Sequence, residues 1–264
     1  MALVLGSTYY KASQDAIVNG HKTASKVWEK FEGLCKIATA LKKTDNAFYT
    51  PATKSITFSA AKDSVERESR APWSTMYHEF GHNIDNISCN QTKNNYFSHE
   101  YQNGIFPDTI KAEAKLIVNE RFRKIKEDFK TLPISEYLEK YKQCWNPWTY
   151  KSFKNNEAFA KEWAKPDSQM VCELLANEIR ENQTKSKPAI SDIFEGATNG
   201  RVSDGYGHGK TYWKKSKDNL ATEAFANMFS ASLTTKEQLE EIRKYFPKSV
   251  KIFEQMISEL EKRP

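Results

Sequence analysis

The sequence predicts an α+β domain that is mostly helical, with a small β-sheet beside a motif-bearing helix and a helical insertion further along. Three observations carry this reading. Apolar residues recur at spacings of three and four through most of the chain, the period of a helix with one buried face. The stretch Ser55-Ile56-Thr57-Phe58-Ser59-Ala60 alternates instead and is rich in β-forming residues. A charged segment follows it, and then Tyr77-His78-Glu79-Phe80-Gly81-His82 within a helical pattern.

Residues 1–14 read as a poorly ordered lead-in. A long helix is expected over 15–43, because Val27, Phe31, Leu34, Ala38 and Leu41 form one stripe with Cys35 beside it. Phe48-Tyr49-Thr50-Pro51 reads as a short extended piece, which with residues 55–60 makes a hairpin or two strands. The strand over 56–60 reads equally as interior or as an edge able to pair with extended peptide. Residues 62–71 are charged and read as a solvated loop. Pro72 suits the first turn of the next helix, whose buried face is Met76, Phe80, Ile84 and Ile87.

Residues 89–109 are polar and read as irregular. Residues 110–183 form a helical block. Val118, Phe122, Ile125 and Phe129 mark its first helix, which Pro133 breaks, and 134–144 is the second. Trp145-Asn146-Pro147-Trp148 reads as a turn with two bulky anchors, and 157–164 as a third helix. Asp167 caps a fourth, with Val171, Leu174, Leu175 and Ile179 inward. A short helix starts at Ser191 and stops near Gly196 or Gly200, before a glycine-rich stretch over 203–213. Helices over 221–232 and around Leu239, Ile242 and Phe246 follow, and Pro247 opens the last one. The expected organisation is one domain over 1–264. Its parts are 15–109 with the sheet and motif helix, 110–190 as the helical insertion, and 191–264 with the glycine-rich loop and C-terminal helices.

The 264 residues suffice for a sizeable core, with 39% hydrophobic and 12% aromatic residues, and contain no repeat. The net charge of +6 is spread along the chain, which indicates a basic solvated surface rather than a nucleic-acid site. Cys35, Cys89, Cys144 and Cys172 form no C-x-x-C motif and suit a reducing compartment. The N-terminus lacks a signal-peptide pattern, and no apolar run approaches the ~20 residues of a membrane span. A cytoplasmic protein without a membrane partner is the expectation.

His78-Glu79-Phe80-Gly81-His82 has the form H-E-x-x-H. On a helix, His78 and His82 share one face and can bind one Zn²⁺, while Glu79 can reach a water on that ion. Gly81 costs about 1 kcal/mol of helix propensity, but a small residue there lets other backbone approach. A catalytic zinc takes three protein ligands. The extended form H-E-x-x-H-x-x-G-x-x-H fails, because Asp85 and Ser88 occupy its last two signature positions. A carboxylate on a second helix is the common remaining solution, with Glu223, Glu100 and Glu113 as candidates and His99 as another. The run Ser203-Asp204-Gly205-Tyr206-Gly207-His208-Gly209-Lys210-Thr211 lacks the spacing of a phosphate loop.

The motif together with Asp85 resembles the H-E-F-G-H-x-x-D of anthrax lethal factor-like zinc peptidases. Glu223-Ala224-Phe225-Ala226-Asn227-Met228-Phe229 resembles the E-x-F-A-x-x-F of their third-ligand helix. The resemblance covers roughly 46–88 and 218–257. It implies a zincin-like fold, a glutamate-ligand (gluzincin) zinc site of His78, His82 and Glu223, and hydrolysis of a peptide or protein substrate. It departs at Asn227, where the family has a carboxylate, and in lacking a tyrosine at the family's spacing before Glu223. Residues 203–213 and the final helices also resemble peptidase-like C-terminal regions of Gram-positive phage and prophage head-morphogenesis proteins. That implies a place in the site for the loop, with His208 or Tyr212 as oxyanion donor. Glu79 is then the general base, and Asp85 either orients a ligand imidazole or is a surface residue. The rival readings are a phage structural protein that keeps the metal site without activity, a basic nucleic-acid-binding module, and a toxin protease.

Overall fold

A computed structural model of the chain describes residues 5–17, 20–40, 46–89, 96–216 and 218–264. Most of them are helical, and three short strands form one sheet: β1 (Lys36–Ala40), β2 (Phe48–Thr50) and β3 (Ser55–Phe58). The order is β1-β3-β2, with β1 parallel and β2 antiparallel to β3. The strand over 56–60 is therefore central, and both of its sides are paired. The edge alternative for it is wrong, and β2 is the edge nearest the motif helix among the described residues.

The long helix expected over 15–43 does not form as one element. Helix α1 (Ser7–Ala16) occupies part of the supposed lead-in, and α2 (Lys22–Phe31) holds Val27 and Phe31 in the core. A 3₁₀ turn at Glu32–Leu34 follows, and the chain then enters β1. Leu34 is 59% exposed, so the apparent stripe ends at Phe31, and Leu41 lies outside the described residues. Gly33 weakens the helix here, and pairing with β3 decides the conformation of the β-prone Ile37 and Thr39.

After α3 (Ala60–Asp63) comes the motif helix α4 (Ser74–Ile87). Asp63 is buried rather than solvated. Its carboxylate accepts from the backbone N–H groups of Thr75 (3.3 Å) and Met76 (2.8 Å), which have no partner within the first turn of α4. The core face of α4 packs its Phe80 and Tyr77 rings on Trp28, with centroids 4.2 and 5.0 Å apart.

Beyond α4, the polar stretch contains α5 (Phe97–Glu100) and a 3₁₀ turn at Tyr101–Asn103. The insertion consists of α6 (Ile105–Thr131), α7 (Ile134–Lys140), α8 (Pro147–Asn155), α9 (Glu157–Trp163) and α10 (Ser168–Glu181). Asp167 caps α10 by accepting from Met170 N–H. Of the two expected anchors, Trp145 packs against Tyr137 and Phe153, whereas Trp148 is 81% exposed, since Asn146 and Pro147 start a helix there and not a turn. The chain ends with α11 (Lys187–Ala197), α12 (Lys210–Lys215), α13 (Asn219–Thr234), α14 (Lys236–Tyr245) and α15 (Pro247–Lys262). No described helix is long and apolar enough to cross a membrane.

Helix α13 is buried nearly all round and lies directly on α4. The contact depends on Gly81: a Cβ there would stand 2.7 Å from Ala226 Cα, closer than side chains approach backbone. Ser230 Oγ donates to Ser74 O at 2.7 Å and pins the far end of the pair. This close packing brings Glu223 to the imidazole face of α4.

Candidate metal centre

His78 and His82 lie one turn apart on α4, and their Nε2 atoms are 3.1 Å from each other. Glu223 Oε2 lies 3.2 Å from His78 Nε2 and 3.4 Å from His82 Nε2. A tetrahedral Zn²⁺ with bonds of ~2.0–2.1 Å holds neighbouring ligand atoms about 3.3 Å apart. The three separations bracket that value. Glu223 Oε2 is buried and has no hydrogen-bond partner, although two ring nitrogens stand beside it. Two ring nitrogens and one carboxylate oxygen therefore lie close together around a common point, and this donor set suits a small divalent cation.

The electrostatics agree with that reading. Burial disfavours the charged form of His82, but Glu223 outweighs it, with help from Glu79 and Asp85, and holds the imidazole at about 9. Burial likewise opposes ionisation of Glu223, yet His82 and His78 keep its carboxyl well below the ordinary range. A cation bound at such a centre would take the place of the proton on His82.

Of the other third-ligand candidates, none reaches the centre. Glu113 accepts from the backbone N–H of Lys248 and Ser249 and so caps α15. His99 pairs with Asp218 at 2.8 Å, and Glu100 accepts from Cys89 Sγ. Asp85 is fully buried, not a surface residue. It takes Ser98 N–H and Ser98 Oγ, both at 2.6 Å, and fastens α5 to the motif helix. Burial pushes its carboxyl up to about 7 against those two bonds.

The glycine-rich loop reaches the same site. Tyr212 O–H donates to Glu223 Oε1, and His208 Nε2 lies 3.6 Å from that oxygen. The two rings stack at 4.2 Å. Helix α11 holds this arrangement through residues that sequence reasoning missed. Asp192 accepts from His208 Nδ1 at 2.8 Å and from Asn227 Nδ2 at 2.9 Å. Glu195 accepts from Gly209 N–H and Trp213 Nε1, both at 2.9 Å. A Cβ at Gly207 would overlap Glu195 Oε2, so the loop passes close only because that residue is glycine. Trp213 is thus a packing anchor and Tyr212 faces the centre. The available signal was a pair of acidic residues, Asp192 and Glu195, on an otherwise apolar helix.

Burial raises the Asp192 carboxyl, with the His208 bond working against it. Burial would lower His208, but Asp192 and Glu223 hold it at about 9, so it is an imidazolium at neutral pH. Burial and then Glu223 push the Tyr212 phenol far up, so it remains a protonated donor.

A cavity of about 560 Å³ opens beside the centre, and His78, Glu79, Asp192 and His208 line it together with Asn46, Ala47 and Phe58. Asn46 and Ala47, the two residues before β2, and Phe58 of β3 bring the sheet to its wall. In comparisons with known proteins, no family model matches the chain, and no curated protein or solved structure matches it.

Proposed function

We propose that this protein is a zinc-dependent peptidase of the glutamate-ligand, zincin-like kind, similar to lethal factor-like peptidases. The observation that carries the reading is the convergence of His78 Nε2, His82 Nε2 and Glu223 Oε2 beside a cavity that Glu79 also lines. Bound there, Zn²⁺ supplies Lewis acidity and brings the pKa of a water towards ~7.

Glu79 takes the proton of the attacking water as its oxygen adds to the scissile carbonyl carbon. It passes that proton to the amine nitrogen as the C–N bond breaks. Asp192 occupies His208 Nδ1, which leaves Nε2–H turned towards the centre as a donor for the developing oxyanion. Tyr212 supplies a second donor, its O–H, which Glu223 holds here. The edge of β2 beside the cavity offers backbone groups to an extended peptide.

The test is Glu79→Gln. Zinc content, read by elemental analysis, is expected to stay at wild-type level, while cleavage of a broad peptide library falls ~10²–10⁴-fold. Equal cleavage by wild type and variant, or none by a zinc-loaded wild type, sinks the peptidase reading and leaves a structural metal protein.

A further inference from the structure

Two of the cations that line the cavity beside the centre are joined to none of its carboxylates by an ion pair. Lys62, Arg67 and Arg70 line it, with Asp63, Glu79 and Asp192 as the anions. Asp63 is spent on Arg67 at 2.7 Å and on the N-terminal N–H groups of α4. Asp192 is spent on His208 and Asn227. Neither Arg70 nor Lys62 has an ion-pair partner among the described residues, and no ion pair joins Arg70 to Glu79.

Arg70 is not a loose surface cation. It is half-buried, and its backbone closes a turn with Arg67 through N–H···O bonds of 3.0 and 3.2 Å. Lys185 Nζ ties that turn down by donating to Arg67 O and Glu68 O at 2.6 and 2.9 Å. Burial, and then the Arg67 charge, disfavour its guanidinium, and the charges of Asp63, Asp192 and Glu79 offset only part of this, so an anion arriving there relieves the remainder. A guanidinium fork matches a carboxylate in two parallel hydrogen bonds.

Resting on the peptidase reading above, we propose that Arg70 is an anion subsite and that the preferred substrates carry a carboxylate next to the cleaved bond. The carboxylate is supplied by an acidic side chain or by a free C-terminus. Lys62, on the same cavity wall, adds long-range attraction for the same charge.

Three peptides test this: a blocked peptide with one Glu, its Gln counterpart, and the Gln counterpart with a free C-terminus. With the zinc-loaded full chain, the carboxylate-bearing peptide is expected to be cleaved about 10- to 100-fold more efficiently than the blocked Gln peptide, the range of a lost charge-assisted pair. Which of the two carboxylate peptides gains identifies the source. Arg70→Gln is expected to erase the difference and Arg70→Lys to keep part of it, with circular dichroism confirming the fold. A second readout needs no turnover: the Arg70 Nε–H resonance of the metal-stripped full chain, assigned by its loss in Arg70→Lys, is followed on adding each peptide. If no peptide is cleaved yet a carboxylate peptide alone shifts that resonance, the subsite stands and the peptidase reading falls. If all three are cleaved alike, or Arg70→Gln keeps the preference, the subsite is wrong and the peptidase reading survives. No cleavage and no shift of Arg70 overturns both.

Discussion

His78, His82 and Glu223 come from two long helices packed backbone to backbone, whereas His208 and Tyr212 come from a glycine-rich loop and the six-residue α12. The first group is fixed by apolar packing: Phe80 and Tyr77 on Trp28, and Gly81 against Ala226. The second is fixed by hydrogen bonds to the two α11 carboxylates, Asp192 and Glu195. Glu223 is 3% exposed, while the His208 side chain is 39% exposed. On the proposed function, rigid packing suits donors that would converge within tenths of an ångström on a cation, and a hydrogen-bonded loop suits donors that meet a substrate.

That contrast can be broken at four points. The largest effect is expected for Glu223→Gln, which removes the one carboxylate from the donor set. Zinc affinity, measured by competition with a chromogenic chelator, should fall by more than about 100-fold, beyond what an outer hydrogen-bond partner commonly carries. Retained affinity would mean that the ion sits elsewhere.

Gly81→Ala comes next. The added methyl must push α4 and α13 apart, costing about 1–3 kcal/mol of overpacking against a gain of about 1 kcal/mol in helix propensity. Thermal unfolding should show a net loss, together with weaker zinc binding as the three donors separate. Adding Ala226→Gly should not restore either, because the overlap is with the Ala226 Cα itself.

Asp192→Asn tests the loop side, together with the Asn227 bond from α13. Zinc binding should stay near wild type, while peptide hydrolysis falls ~10–100-fold through misorientation of His208. The pH profile carries the sign. Asp192 and Glu223 raise His208 to about 9 against burial and the His82 charge. Losing the Asp192 charge lowers that value, so the alkaline limb of the rate profile should move to lower pH. An unmoved limb with a lower rate would point to simple distortion.

Asp85→Asn is expected to do least. Burial raises the Asp85 carboxyl from 3.8 to about 7. Its folded value lies above its unfolded one, so its contribution to stability is full below pH ~4 and is lost as pH rises through ~7. Asparagine can accept from Ser98 N–H and donate to Ser98 Oγ. The variant should therefore melt at the same temperature or a few degrees higher above pH 7, with a flatter dependence on pH. A lower melting temperature at pH 8 would show that the charge itself is needed beside His82.

Much of this was legible in the residues. His78, Glu79 and His82 are local, because four-residue spacing on a helix is enough to put both imidazoles on one face. Asp167 and Pro247 marked helix starts by equally local chemistry. Leu34 and Ala38 misled because a helix period continued by coincidence into a segment whose conformation is set by pairing with β3, and periodicity does not register partners far along the chain. Asp192 and Glu195 were passed over because nothing nearby in sequence says which loop they hold.

By itself, then, the sequence determined the mostly helical α+β class, the motif helix and its donor face, through short-range periodicity and capping. The tertiary structure alone decided that Glu223, and not Glu100, Glu113 or His99, meets that face, and that the 203–213 loop returns to it. The reason is that both depend on contacts between separate elements: Gly81 meets Ala226 from a segment more than a hundred residues away, the α11 carboxylates hold a loop 14 to 18 residues downstream, and no local pattern encodes such contacts.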